Sequence, residues 1–352
     1  MKTAEILIIG TGALASGVVN ALSLLSVGAL RVAIIGRSRH KASRLALMAN
    51  TRAAVLRSSA RFESVEVPQC KALHFSRVIR SLKPKVIFQV ASIQSPWESS
   101  HGHNSWTRLL ASAGFGVTLP LQMVIAAEVT RAAADAPAAI VNASYPDCVN
   151  PVLDRVGLRT TCGIGNAAIV EAFCRVHAPS PDSDVRVIAH HGHFGGWLKA
   201  QRARPQPRVW IRGREIKSVT QRPDLGAMTD ELNEVTAATA IPVILSLVTG
   251  AALHVSIPGV PNLPGGYPFV LKRGKFALCL PPGVGLAEAI AHNKTGERLD
   301  GLSLDSGVKF VGRARRALAA AGFEYAEGFD PLEWQVASKK MIQLRDRLRL
   351  GP

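Results

Sequence analysis

Gly10-Thr11-Gly12-Ala13-Leu14-Ala15 follows the apolar run Ile6-Leu7-Ile8-Ile9, and Gly36-Arg37-Ser38-Arg39-His40-Lys41 follows a second run, Val32-Ala33-Ile34-Ile35. The first pairing is suited to holding a diphosphate: Gly10 and Gly12 allow a tight turn and close backbone approach, and Ala15 keeps the third position small where a helix packs on the sheet. The N-terminus of that helix then faces the anion. The second run ends about twenty residues later, where a site for an unphosphorylated adenosine ribose carries Asp or Glu to bind the 2′-hydroxyl. No carboxylate stands there. Arg37 and Arg39, with Ser38 between them, suit a 2′-phosphate, because a guanidinium can form two parallel charge-assisted bonds to it. The spacing predicts NADP as cofactor, its adenosine end contacting Gly10, Gly12, Ala13, Leu14, Arg37, Ser38 and Arg39.

The elements that must carry these turns alternate along the first half. Strand-like segments at 6–9, 32–35, 63–67, 86–91, 115–118 and 138–143 are separated by helical stretches at 13–27, 40–58, 73–82, 103–113 and 121–134, the pattern of a doubly wound parallel sheet. Residues 1–160 are read as the nucleotide-binding domain and 161–352 as a catalytic and oligomerisation domain. In the second half, 185–189 and 208–212 read as strands, with a hairpin turn at Gly213, and 227–252 and 306–321 as helices. The proline- and glycine-rich 257–268 reads as an ordered loop, and 341–349 as the end of the last helix.

Composition narrows the partners. The chain has 352 residues, 47% of them hydrophobic, and carries 42 Lys plus Arg against 25 Asp plus Glu, with basic clusters at 37–61, 199–217 and 339–349. A net charge of +17 speaks to solubility and steering, not to fold. Aromatics are only 5%, and no basic stripe is interleaved with stacking residues, which argues against a nucleic-acid partner. No run reaches the roughly 18 to 20 uncharged apolar residues of a bilayer span, so no membrane partner and a cytoplasmic location are expected. Cys70, Cys148, Cys162, Cys174 and Cys279 are scattered and form no CxxC pair, which predicts free thiols and no metal site.

Three later motifs fall in a telling order: Val86-Ile87-Phe88-Gln89-Val90-Ala91-Ser92, then Ile140-Val141-Asn142-Ala143-Ser144-Tyr145-Pro146-Asp147, then Val187-Ile188-Ala189-His190-His191-Gly192-His193. With the N-terminal turn they resemble the lactate/malate dehydrogenase superfamily, which also contains the NAD-dependent phospho-glycosidases. The resemblance implies an α/β fold, a Rossmann doubly wound parallel sheet followed by an α+β catalytic domain, and a homo-oligomer. It matches His191, before Gly192 at a strand end, to the histidine that exchanges a proton with substrate, with Asn166 and His193 nearby. It places Ala91 and Ser92 near the nicotinamide-side ribose and Asn142 or Ser144 near the nicotinamide.

Departures from the family pattern are equally informative. After Cys162-Gly163-Ile164-Gly165-Asn166, Ile169 occupies the position of the carboxylate that orients the histidine, Ala172 lies near that of the substrate-gripping arginine, and Glu171 should point elsewhere. The loop from Ile93 to His101 has no arginine, although Trp97, His101 and nearby His103 are chemically rich, and Tyr145 replaces the family asparagine. These changes imply an NADPH-dependent reduction, or the reverse oxidation, of a small carbonyl or imine other than a simple 2-oxo acid, with His191 as general acid/base.

The run His191-Gly192-His193-Phe194-Gly195-Gly196-Trp197 resembles that of the cofactor-dependent glycosidases, though their metal-binding Cys-His pair is not reproduced. A nucleotide-binding sensor or scaffold is the non-catalytic alternative. Opine-forming reductases are disfavoured by the strands expected at 185–216. The basic run Lys199-Ala200-Gln201-Arg202-Ala203-Arg204 could steer an anionic, carrier-bound or peptide-bound substrate.

Overall fold

The computed structural model describes residues 3–25, 28–67, 69–98, 103–180, 182–198, 204–216 and 231–351. Its first six strands, β1 (Ile6–Ile9), β2 (Arg31–Ile35), β3 (Arg61–Val65), β4 (Val86–Gln89), β5 (Ala139–Asn142) and β6 (Cys162–Gly163), form one parallel sheet in the order β3-β2-β1-β4-β5-β6. Both faces of this sheet are buried, as crossover helices require. Alternation divides the side chains: Ile6, Ile8, Val32, Ile34, Val86 and Phe88 enter one core, while Leu7, Ile9, Ala33, Ile35 and Ile87 enter the other.

Helices α1 (Ala13–Ser23), α2 (Arg39–Val55), α3 (Ala72–Leu82), α4 (Ser105–Ala113), α5 (Leu119–Ala132) and α6 (Pro146–Arg155) accompany the sheet. Ser38 starts α2 by accepting from the Lys41 backbone N–H at 3.3 Å, and Ala42, Ala46, Ala49 and Ala53 give that helix a narrow buried face. Strand order reverses between β1 and β4, and the ends of β1, β4, β5 and β6 lie in register: Ile9 opposite Gln89, Gln89 opposite Asn142, Asn142 opposite Gly163. A crevice at such a reversal is where open α/β sheets bind ligands.

The sheet has the expected number of strands, but one expected strand is wrong. Phe115–Thr118 is a 3-10 turn leading into α5, not a strand. Gly114 has φ 96°, Pro120 starts the next helix, and Gly116 donates its N–H to the Asp300 carbonyl at 3.0 Å. The sixth strand is instead Cys162–Gly163.

Beyond the sheet come α7 (Asn166–Arg175), β7 (Val185–Ile188), α8 (His191–Leu198), β8 (Arg208–Ile211) and β9 (Arg214–Glu215). The β8–β9 hairpin turns at Arg212-Gly213, as expected, with φ 50° and 74°. Helix α9 (Leu232–Thr249) meets the length and composition of a membrane span, with mean hydropathy 1.5, which the sequence reading did not foresee. It packs on α1, where a Cβ added at Gly17 would lie 2.8 Å from the Ala237 Cβ.

The loop expected at 257–268 spans only 259–265, because its two ends are strand: β10 (Leu253–Pro258) and β11 (Gly266–Lys272) pair antiparallel, with β12 (Lys275–Leu278) beyond. The chain then forms α10 (Leu286–Leu299), β13 (Leu302–Ser303), β14 (Lys309–Phe310), α11 (Gly312–Ala320) and α12 (Trp334–Leu350). Helix α10 was not anticipated, and the expected 227–252 and 306–321 helices are shorter than predicted. Residues 217–230 lie outside the described chain.

Candidate active site

The turn after β1 is built by backbone constraints. Gly10 has φ 140°, and a Cβ there would lie 2.9 Å from Val90 Cγ1 and 3.1 Å from the Ala91 nitrogen, so β1 and β4 close to this distance only around glycine. A Cβ at Gly12 would meet nothing within 4 Å, which leaves open space before α1. That helix begins at Gly12 with no side-chain cap and no acidic residue in its first turn. Thr11, Gly12, Ala13 and Leu14 are at least partly exposed around this space, and a diphosphate fits it.

At the end of β2, a Cβ on Gly36 would lie 2.5 Å from Thr11 Cγ2, so the two turns are in contact. Arg37 and Arg39 are exposed; Arg39 pairs with Glu66 at 3.3 Å, and Arg37 has no ion pair among the described residues. Ser38 spends its hydroxyl on the α2 cap.

Past β4 and β5, two strand-end amides shape their own turns. Gln89 donates from Nε2 to the Ala91 carbonyl at 2.8 Å and accepts from its N–H at 2.9 Å. Asn142 accepts from the Ser144 N–H at 3.0 Å and donates to Asn150 Oδ1 at 2.7 Å. Its amide is fully engaged and buried, behind the turn that presents Ser144. The Ser144 hydroxyl donates to the Ala91 carbonyl at 3.0 Å, which brings Ala91 and Ser144 together at the crevice, with partly exposed Ser92 next in the chain.

His191 opens α8 just past the strand end. Its Nδ1 lies 2.8 Å from Asp300 Oδ2 and 3.0 Å from Oδ1, so the ring donates there, and Nε2 has no partner among the described residues. The Tyr145 hydroxyl donates to the same Asp300 oxygen at 2.8 Å, and the His191 N–H donates to Asp147 Oδ1 at 3.1 Å. Phe115 stacks on the imidazole with centroids 4.6 Å apart, while Tyr145 meets it edge-on. The His191 side chain is 28% exposed and Asp300 is nearly enclosed. Burial pulls the imidazole down, but the Asp300 carboxylate, helped by Asp147, more than offsets it and holds His191 above its ordinary value. Burial pushes the other way on Asp300, and His191 foremost holds it below the usual carboxylate range. Burial, with Asp300 beside it, keeps Tyr145 far above its ordinary value and hence a neutral donor.

Asp300 is the residue of this cluster that the sequence reading missed. It caps the C-terminus of α10, 109 residues from His191. Two glycines let it reach the ring: a Cβ on Gly192 would collide with the Gly296 carbonyl, and one on Gly296 would lie 2.5 Å from His190 Cβ and 2.9 Å from His193 Cε1. Helices α8 and α10 thus cross almost backbone to backbone. Gly296→Ala should force them apart, lowering stability by about 1–3 kcal/mol and weakening the His191–Asp300 pair. Denaturant unfolding and turnover of the variant check this.

The other expected site residues fall into different places. His193 is buried; it accepts from the His190 N–H at Nδ1 (3.1 Å), and its Nε2 faces Thr295 Oγ1 at 3.0 Å. Since Thr295 donates its own proton to the His292 carbonyl, His193 carries its proton on Nε2. Burial, with His292 and His190 adding to it, drives His193 well below its ordinary value, so this neutral ring braces α8 against α10. Asn166 is partly exposed at the start of α7, with no hydrogen bond to His191. Ile169 is core, and Glu171 turns away to Arg175 (2.6 Å) and the Ser256 N–H (2.5 Å), as expected. Trp97 donates to Asn233 at 3.4 Å and His103 is exposed. His101, Lys199, Ala200, Gln201, Arg202 and Ala203 lie outside the described residues. No cluster of three or more His, Cys, Asp or Glu suited to a metal occurs among the described residues.

Compared as a sequence, the chain matches no family model and no curated protein. Its fold is similar to that of Cryptosporidium parvum malate dehydrogenase (TM-score 0.53, 14% identity, 84% of this chain and 96% of that one). It is also similar to C. parvum lactate dehydrogenase, solved with lactic acid and nicotinamide adenine dinucleotide (0.53, 14%, 85% and 99%). Picrophilus torridus malate dehydrogenase gives 0.54 at 11% identity, over 84% of this chain and 95% of its own. The chain shares the fold of these lactate and malate dehydrogenases, a Rossmann sheet followed by an α+β second half.

Proposed function

We propose that the protein is an NADP(H)-dependent oxidoreductase acting on a small carbonyl or imine, with His191 as its general acid/base. The observation that carries this reading is the pairing of His191 Nδ1 with Asp300 at 2.8 Å while Nε2 stays free, in a chain whose Gly10–Gly12 turn leaves open space before α1. Lactate dehydrogenases of this fold have been solved with nicotinamide dinucleotide and with lactic acid or oxamate, which supports the cofactor class.

Gly10, Gly12, Ala13 and Leu14 would hold the diphosphate end, Arg37, Ser38 and Arg39 a 2′-phosphate, and Ala91, Ser92 and Ser144 the nicotinamide end. A bound nicotinamide supplies or takes the hydride. His191 does the rest: Nδ1 stays locked on Asp300, and Nε2 gives its proton to the substrate heteroatom as charge develops there, or takes it back in the oxidation. Tyr145 donates to the same Asp300 oxygen that lies nearest Nδ1, so the carboxylate cannot swing away from the ring. Domains of 1–160 and 161–352, with the site between them, and a homo-oligomer fit this reading.

NADPH absorbance followed over a panel of ketones, aldehydes and imines tests it. Consumption that stops in His191→Gln supports the assignment. Tight NADPH binding with no turnover on any member favours the sensor alternative.

A further inference from the structure

The charges gathered at His191 are of the wrong sign for a substrate carboxylate. Asp147 and Asp300 approach the same residue from two sides, at its backbone N–H and at Nδ1. Neither has a Lys or Arg ion-pair partner among the described residues. Asp147 is 1% exposed, and only one of its oxygens is used: Oδ2 is buried without a hydrogen-bond partner. This oxygen faces the head of α7, 4.0 Å from where a Cβ on Gly165 would lie, next to Asn166. A buried carboxylate oxygen left without a donor costs free energy unless something supplies one.

Resting on the oxidoreductase reading above, we propose that this site takes an imine, its C=N–H donating to Asp147 Oδ2, and releases a primary amine. The steps balance. His191 Nε2 passes its proton to the imine nitrogen, giving an iminium that keeps its hydrogen bond to Asp147 Oδ2. A new C–H bond forms as hydride arrives from the reduced nicotinamide, the C=N π pair becomes the nitrogen lone pair, and solvent restores the His191 proton. Carbonyl reduction would build negative charge on oxygen beside Asp147 Oδ2, a buried oxygen that can accept from a nitrogen but offers nothing to an oxyanion. The field thus favours nitrogen over oxygen at the reacting centre, and Asp147 is the residue that distinguishes them.

Matched ligands give a readout independent of turnover. With NADP⁺ present, calorimetry compares 1-phenylethylamine with 1-phenylethanol and with oxamate, for wild type and Asp147→Asn. The amine is expected to bind at least tenfold more tightly than the alcohol or oxamate, and Asp147→Asn to reduce that preference to threefold or less with NADPH affinity unchanged. An alcohol or oxamate bound as well as the amine overturns the inference, as does an amine preference that survives in Asp147→Asn. The wild-type comparison decides by itself should the variant not fold. If NADPH binds but the amine preference is absent, only this inference falls; if NADPH does not bind, the oxidoreductase reading falls with it.

Discussion

Replacing His191 with Gln is expected to lower turnover by about 10²- to 10⁴-fold, the range for loss of a positioned general acid, while leaving nucleotide affinity nearly unchanged. The separation of effects follows from geometry. His191 lies among Asp300, Tyr145 and Phe115, whereas the diphosphate cradle is formed by Gly10 and Gly12. Gln can still donate to Asp300 but has no proton to give from the far side of the ring. Single-turnover rates and NADPH titration of the same preparation separate chemistry from binding. Near-normal turnover would remove His191 from the acid role.

Asp300→Asn should cost about 10²-fold or more near pH 8, and its larger signature is a moved pH profile. In the wild type, His191 is held above its ordinary value, so reduction runs while the imidazolium persists and falls as pH rises through that raised value. Without the carboxylate, burial is opposed by Asp147 alone, and the inflection should move to lower pH. The sign for stability follows the same pair. The His191 contribution is complete below about pH 6.5 and lost as pH rises through its folded value, while the Asp300 contribution is present above about pH 4 and lost as pH falls through its depressed value. Wild type should therefore gain most over the variant between about pH 4 and 6.5. The profile of kcat/KM and denaturant melts across this range test both statements; an unmoved inflection would mean that Asp300 does not control the ring.

The parts of this site that were legible in the sequence are those fixed by local backbone geometry. Gly10 could be read because only glycine tolerates its φ and its close approach to β4, and His191 because a strand and Gly192 fix its place. Asp300 could not be read that way. Its helix is mostly polar, with only Ala289, Asn293, Gly296 and Glu297 buried along it, so no apolar stripe announced it. The usable signal was polar: Asn293, Glu297 and Asp300 recur at helical spacing, and all three are buried. Phe115–Thr118 misled because aromatic and β-branched residues resemble a strand, while Gly114, Gly116 and Pro120 around them dictate a turn. His193 misled for another reason. Three histidines in four positions look like one cluster, but at the start of α8 they diverge, with His190 facing Cys148, His191 facing Asp300 and His193 facing Thr295.

The central claim is a dinucleotide site that prefers the 2′-phosphate, and equilibrium titration with NADPH and NADH, for wild type and Arg37→Ala, tests it most directly. NADPH should bind wild type at least tenfold more tightly than NADH, the margin of one or two charge-assisted bonds at about 1.5–3 kcal/mol each, and Arg37→Ala should erase most of that margin. Equal affinity for the two nucleotides would contradict the NADP assignment, and binding of neither would contradict the account as a whole.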